Sequence, residues 1–147
     1  MTKKVLLFLL SASLSFGASL DTPTRTGEFP AEQMKAQNTK IVKLVTKEIK
    51  QTLPQTVDKY TTLTDIQAKG TTLLYTFELN TGAKSDESVR KEDRGRMKKA
   101  VTVGVCQSSS KFLDAGINTS YSYISAKTKA KLFRFDISLK DCTGLVH

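Results

Sequence analysis

The chain has one histidine, two cysteines, three prolines and no clustered glycines among 147 residues, and these scarcities each remove a class of chemistry. The histidine is His147, the last residue, where order is not expected. Ser-His-Asp and Cys-His arrangements need an imidazole held beside a nucleophile, so they are excluded, along with nearly all histidine-based acid–base schemes. Two thiols and one distant imidazole cannot complete a tetrahedral zinc site. Gly70, Gly82, Gly95, Gly104 and Gly116 stand alone, which leaves no glycine-rich cradle for phosphate. After Phe16 no apolar run approaches the ~20 residues needed to cross a bilayer. Fourteen acids remain from which a carboxylate pair could form in space. Asp86 and Glu87 suit a helix start, however, and Asp114 the end of a short helix, so a hydrolase is the least supported class. No cofactor and no metal is implied.

The N-terminus carries a different kind of information. Lys3 and Lys4 precede the apolar run Val5 to Leu10, which continues through Ala12, Leu14 and Phe16 into the small residues Gly17, Ala18 and Ser19. Charge, a short apolar core and small residues form the layout of a secretory signal peptide. Cleavage after Gly17 places Ser15 and Gly17 at the two small-residue positions, whereas cleavage after Ala18 would place Phe16 at the outer one. An uncleaved N-terminal anchor is the alternative. With no cysteine near the cleavage site, a lipid-anchored mature form is not expected. The expected organisation is a signal peptide over 1–17, a flexible leader over 18–37, one α+β domain over 38–142 and a tail over 143–147. Localisation is periplasmic or secreted.

The formal charge of +9 falls to about +7 when Lys3 and Lys4 are removed with the signal. A basic protein outside the cytoplasm meets anionic lipid, envelope polymers and acidic protein faces before nucleic acid. The segment Arg90, Lys91, Arg94, Arg96, Lys98 and Lys99 is the candidate contact patch for such groups, with a solvated helix face as the plain alternative. Nucleic acid is not an expected partner, because no aromatics interleave with those cations. Cys106 and Cys142, an even pair in an exported chain, read as a disulfide. A redox pair would sit closer, as C-x-x-C.

The elements follow from periodicity. Ile41, Leu44, Val45, Ile49 and Leu53 recur at helical spacing, with Asn38 or Thr39 as cap, Pro54 as terminator, and Lys40, Lys43, Lys47 and Lys50 on the other side. Thr61–Gln67 and Thr71–Asn80 predict a hairpin turning at Ala68-Lys69-Gly70. Ser85 can cap a second helix whose Met97, Ala100, Val101 and Gly104 form a buried stripe, although Val101–Val105 could equally be a strand. Glu87 with Lys91 and Glu92 with Arg96 are expected i,i+4 pairs. A short helix over 109–115 buries Phe112 and Leu113 and ends at Gly116. Ile117, Thr119, Tyr121 and Tyr123 pair across a turn at Ala126–Thr128 with Phe133, Phe135, Ile137 and Leu139. The predicted fold is α+β: an antiparallel sheet of two hairpins, about four strands, covered on one face by the N-terminal and central helices and closed by one disulfide.

Several short stretches also carry a resemblance. They are Leu53-Pro54, Val57-Asp58, Thr61-Thr62-Leu63 and Leu74-Tyr75-Thr76-Phe77, followed by Val105-Cys106, Leu113-Asp114-Ala115-Gly116-Ile117, Tyr121-Ser122-Tyr123 and Asp141-Cys142. In this order, over roughly residues 40–142, the chain resembles small bacterial periplasmic proteins that include the β-sheet type of type II secretion pilotin and its uncharacterised exported relatives. The resemblance implies a helix-decorated antiparallel sheet with a bridge of the same kind and a non-catalytic binding role. A partner protein segment would be held in a groove between helix and sheet. The alternative reading is a basic envelope protein that binds anionic surface polymers or lipids. The oligomeric state is open in both.

Intact-mass analysis of the exported product checks the first inference. The expected species begins at Ala18 and is two hydrogens lighter than its reduced form; a product retaining residues 1–17 would mean the apolar segment is an anchor.

Overall fold

The computed structural model describes residues 30–145. The expected signal peptide over 1–17, the expected leader up to residue 29, and the tail residues Val146 and His147 lie outside the described residues. Helix α1 spans Ala31–Lys50, β1 Gln55–Asp58, β2 Thr61–Lys69 and β3 Thr72–Leu79. Helices α2 (Asp86–Glu92), α3 (Arg94–Ser108) and α4 (Ser110–Asp114) follow, then β4 (Asn118–Ser125), β5 (Lys131–Ile137) and a 3₁₀ turn at Leu139–Cys142.

Both predicted hairpins form, β2–β3 and β4–β5, each antiparallel. They meet differently from the expectation. β3 and β4 run parallel, in register from Thr72 opposite Asn118 to Leu79 opposite Ser125, so the sheet is mixed. Parallel neighbours require a long crossover, normally helical, and α2, α3 and α4 supply it by returning the chain to the end of the sheet where β3 began. The sheet also has five strands, not four, in the order β1-β2-β3-β4-β5. The fifth, β1, is exposed along all four residues and carries no alternation that a sequence pattern could reveal.

One face of this sheet carries all the helices. Leu73, Tyr75, Phe77 and Leu79 share a face of β3. Their partners put Tyr121 and Tyr123 of β4, and Phe133, Phe135 and Ile137 of β5, on the same side. A bulge between Leu63 and Asp65 brings Leu63 and Ile66 of β2 to that face as well. Val42 of α1 packs with Ile66, Leu73 and Ile117, while Val89 of α2 packs with Leu63, Phe77, Phe133 and Phe135. Helical cover of one face, as the sequence predicts, is therefore observed.

Several boundaries differ. Helix α1 begins at Ala31, seven residues before the expected cap, so part of the expected leader is helical. Pro30 precedes it without a side-chain cap, its carbonyl accepting from Gln33 and Met34. Asn38 is instead buried, donating Nδ2–H to the Ala115 carbonyl at 2.6 Å. Leu44, expected in the core, is 61% exposed, because the i+4 row Asn38, Val42 and Thr46 faces the sheet. Val101–Val105 is helical. Ser85 caps α2 as expected, accepting from Ser88 N–H at 3.2 Å. Leu113 is buried but Phe112 is exposed. Leu139 is exposed too, since β5 ends at Ile137.

The predicted bridge is present. Cys106 of α3 and Cys142 of the 3₁₀ turn are disulfide-bonded, with Cα atoms 5.5 Å apart, among buried Val105, Leu113 and Ile137. It fastens the end of α3 to the end of the last strand. Replacing both cysteines by serine should destabilise the domain by roughly 3–4 kcal/mol, the loop-closure value for a loop of this size. A melting temperature unchanged in the double variant would show that packing alone holds α3.

Candidate functional site

A cleft of about 840 Å³ opens between α3 and the middle of the sheet. Its floor is Leu63, Tyr75, Phe77, Leu79, Tyr121 and Tyr123. The rings form a continuous aromatic surface: Tyr75 meets Tyr121 edge-on at 5.0 Å between centroids, and Phe77 lies 5.0 Å from both Tyr121 and Tyr123. Helix α3 forms one wall with Met97, Ala100, Val101, Gly104, Val105 and Ser108; Val57 and Tyr60, beside the β1–β2 turn, stand opposite.

The wall is the stripe that the sequence predicts to be buried. Ala100 and Gly104 are exposed, and Met97 and Val101 only half-buried. Small side chains at positions 100, 104 and 108 cannot reach the sheet, and α3 is seated over the β5 side while α1 covers β2 and β3. Phe77 and Tyr123 are buried in one cluster with Val89, Met97 and Val101, whereas Tyr75 and Tyr121 beside them are only half-buried where the cleft opens. Gly104 is informative here. A Cβ built on it would meet nothing within 4 Å, so packing within the described chain does not demand glycine in this helix, where it costs about 1 kcal/mol relative to alanine.

One end of the cleft is polar. Lys84 pairs with Glu92 at 2.9 Å and Asp93 at 3.2 Å, and Arg96 donates to Asp93 at 3.1 Å. The Glu92–Arg96 pair expected from spacing is thus replaced by one in which Asp93 accepts from Arg96. Hydrogen bonds from Arg96 and then Lys84 hold the Asp93 carboxyl below the usual carboxylate range. These opposite charges largely cancel, so the cleft mouth has no strong sign.

The predicted cationic patch is only partly free. Arg90 donates through Nε and Nη2 to the Lys131 carbonyl at 2.9 and 2.7 Å, and the Arg94 guanidinium lies 5.9 Å from the Phe135 ring centroid. Arg96 is engaged with Asp93. Lys91, Lys98 and Lys99 are exposed and form no ion pair with a described residue. The disulfide and these cations are legible in the sequence, whereas the aromatic floor as a site is not. The alternation Tyr75-x-Phe77 and Tyr121-x-Tyr123 is visible in the sequence; that a cleft opens over it is not. Among the described residues no group of three or more His, Cys, Asp or Glu could hold a metal ion.

The floor is electrically neutral at physiological pH. Burial, and secondarily Tyr121, pushes the Tyr75 phenol from 10.0 to about 12, and burial raises Tyr121 and Tyr123 as well. An acid whose folded pKa is raised contributes stability below its unfolded value and loses it as pH rises through the folded one. Stability should therefore decline between about pH 10 and pH 12, and Tyr75→Phe should flatten that decline. A variant with the same alkaline slope as the parent would show that Tyr75 is not protected by the fold.

No protein-family model matches the chain, and no curated protein matches it. Solved structures do. A protein of Pseudomonas aeruginosa classed as secreted superposes with a TM-score of 0.64 at 17% identity, over 79% of this chain and 99% of its own. The pilotin EpsS of the Vibrio vulnificus type 2 secretion system gives 0.63 at 12% identity, over 76% of this chain and 96% of its own. The type II secretion pilotin AspS of Vibrio cholerae gives 0.59 at 17%, over 76% and 98%. The resemblance to pilotins read from the sequence therefore holds at the level of the fold, and the fold alone is what this likeness establishes.

Proposed function

We propose that this chain is a non-catalytic accessory protein of the bacterial envelope that holds an apolar segment of a partner protein in the cleft between α3 and the sheet. The observation that carries the reading is the open cleft itself, with half-buried Tyr75, Leu79 and Tyr121 on its floor beneath a wall of small residues. Apolar surface left open in this way is normally a contact surface, and small residues on the facing helix let a second backbone approach closely. The shared fold with two type II secretion pilotins supports a secretion-related role, and the N-terminal signal-like segment supports a position outside the cytoplasm. A stapled scaffold whose cleft lacks a paired nucleophile and base suits binding better than turnover.

Filling the cleft tests this directly. Gly104→Trp and Ala100→Trp place an indole where the chain leaves space. A benzophenone cross-linker at Met97 should give a discrete protein adduct in cells, and either tryptophan should abolish it while the melting temperature stays within a few degrees. The native chain has no tryptophan, so the indole's emission also reports whether it lies in the cleft. An adduct that persists in both variants, or that forms equally well from Lys99, would overturn the proposal.

A further inference from the structure

The unpaired cations concentrate on a helix outside the predicted patch. Lys40, Lys43, Lys47 and Lys50 of α1 follow a three–four–three spacing, which places them along one side of the helix over about 15 Å. None forms an ion pair with a described acid. Three of them, Lys43, Lys47 and Lys50, line an open depression of about 720 Å³ against Gln67 and Ala68 of β2.

Thr46 lines the same depression. It is 8% exposed, and its hydroxyl has no hydrogen-bond partner. A threonine in a helix ordinarily resolves this by donating to the carbonyl four residues back, as Thr39 does to Lys35 at 2.8 Å. A buried hydroxyl without a partner is unfavourable and calls for an acceptor from elsewhere. Thr119 also carries an unpartnered buried hydroxyl, but it lines a depression where Asp136 and Asp141 stand among Lys69, Arg134 and Lys140, and the buried Ser120 hydroxyl lies beside the Asp136 carboxylate, whose pKa it lowers. Of the three, Thr46 alone lines a depression that holds lysines and no acid.

We infer that Lys43, Lys47, Lys50 and the Thr46 hydroxyl form a binding site for a phosphate-bearing anion, separate from the cleft. The lysines supply the charge. The hydroxyl, after rotating about χ1 between the two rotamers open to threonine in a helix, donates to a phosphate oxygen. The same chemistry serves a free phosphate or the headgroup of an anionic phospholipid.

The mature chain can be titrated with inorganic phosphate by amide NMR, and sedimented with vesicles of phosphatidylglycerol or of phosphatidylcholine. Saturable shifts confined to residues around Thr46 and Gln67–Ala68 are expected with phosphate. Sedimentation with phosphatidylglycerol alone would identify the headgroup as the source, and shifts without sedimentation the free ion. Lys43→Gln with Lys47→Gln should weaken the interaction about tenfold or more, as when two lysines leave an anionic surface. Thr46→Val should weaken it several-fold without lowering the melting temperature, and Thr46→Ser should restore it. The site is overturned if neither probe affects these residues. It is also overturned if Lys98→Gln with Lys99→Gln weakens binding as much, which would mean diffuse charge, or if Thr46→Val leaves affinity unchanged.

Discussion

Helix α3 is held firmly at both ends and loosely between them. Ahead of it, Val89 sits in the core beside Phe133 and Phe135 and Arg90 grips the Lys131 carbonyl. At its far end Val105 and Cys106 are buried, and the disulfide ties the helix to the turn after β5. Both fastenings pull toward the β5 side. Since α1 is fixed by Val42 over Ile66 and Leu73, the two helices stand apart over a sheet too wide for them to cover. The cleft is what remains, and the half-buried rings of Tyr75 and Tyr121 lie on its floor, between the two helices.

The fold was legible in the sequence where local pattern decides. Leu73, Tyr75, Phe77 and Leu79 alternate cleanly, Ser85 is followed by Asp86 and Glu87, and two cysteines follow a signal-like N-terminal segment; the hairpin, the cap and the bridge all follow from these. What was not legible depends on long-range placement. The parallel pairing of β3 with β4 is a property of the crossover, which no residue in either strand encodes. The edge strand β1 has only exposed residues and is defined by its partner. Asn38 has the chemistry of a cap, yet it is used to tie α1 to Ala115, seventy-seven positions away. The candidate cleft was half legible: Met97, Ala100, Val101 and Gly104 were recognised as one helical stripe, but periodicity cannot distinguish a stripe that meets its own core from one left open.

Charge is distributed by the same logic. Arginines near the α2–α3 junction are consumed by the fold, on a carbonyl, an aromatic ring and a carboxylate. The lysines of α1 have no such duty: they are exposed along the flank of the helix beside β2 and form no ion pair with a described acid. Runs of basic residues in the sequence therefore overstate the first group and understate the second.

The sheet ends in two borders of different character. At one border β1 is only four residues long and irregularly paired with β2 around Thr56 and Asp58. At the other, Arg90 already occupies a carbonyl at the start of β5. Long, flat, unpaired borders recruit strands from neighbouring molecules and seed fibrous aggregates; a short irregular border and a capped one resist it. A chain with such borders folds in crowded surroundings with less risk of pairing edge to edge with its own copies.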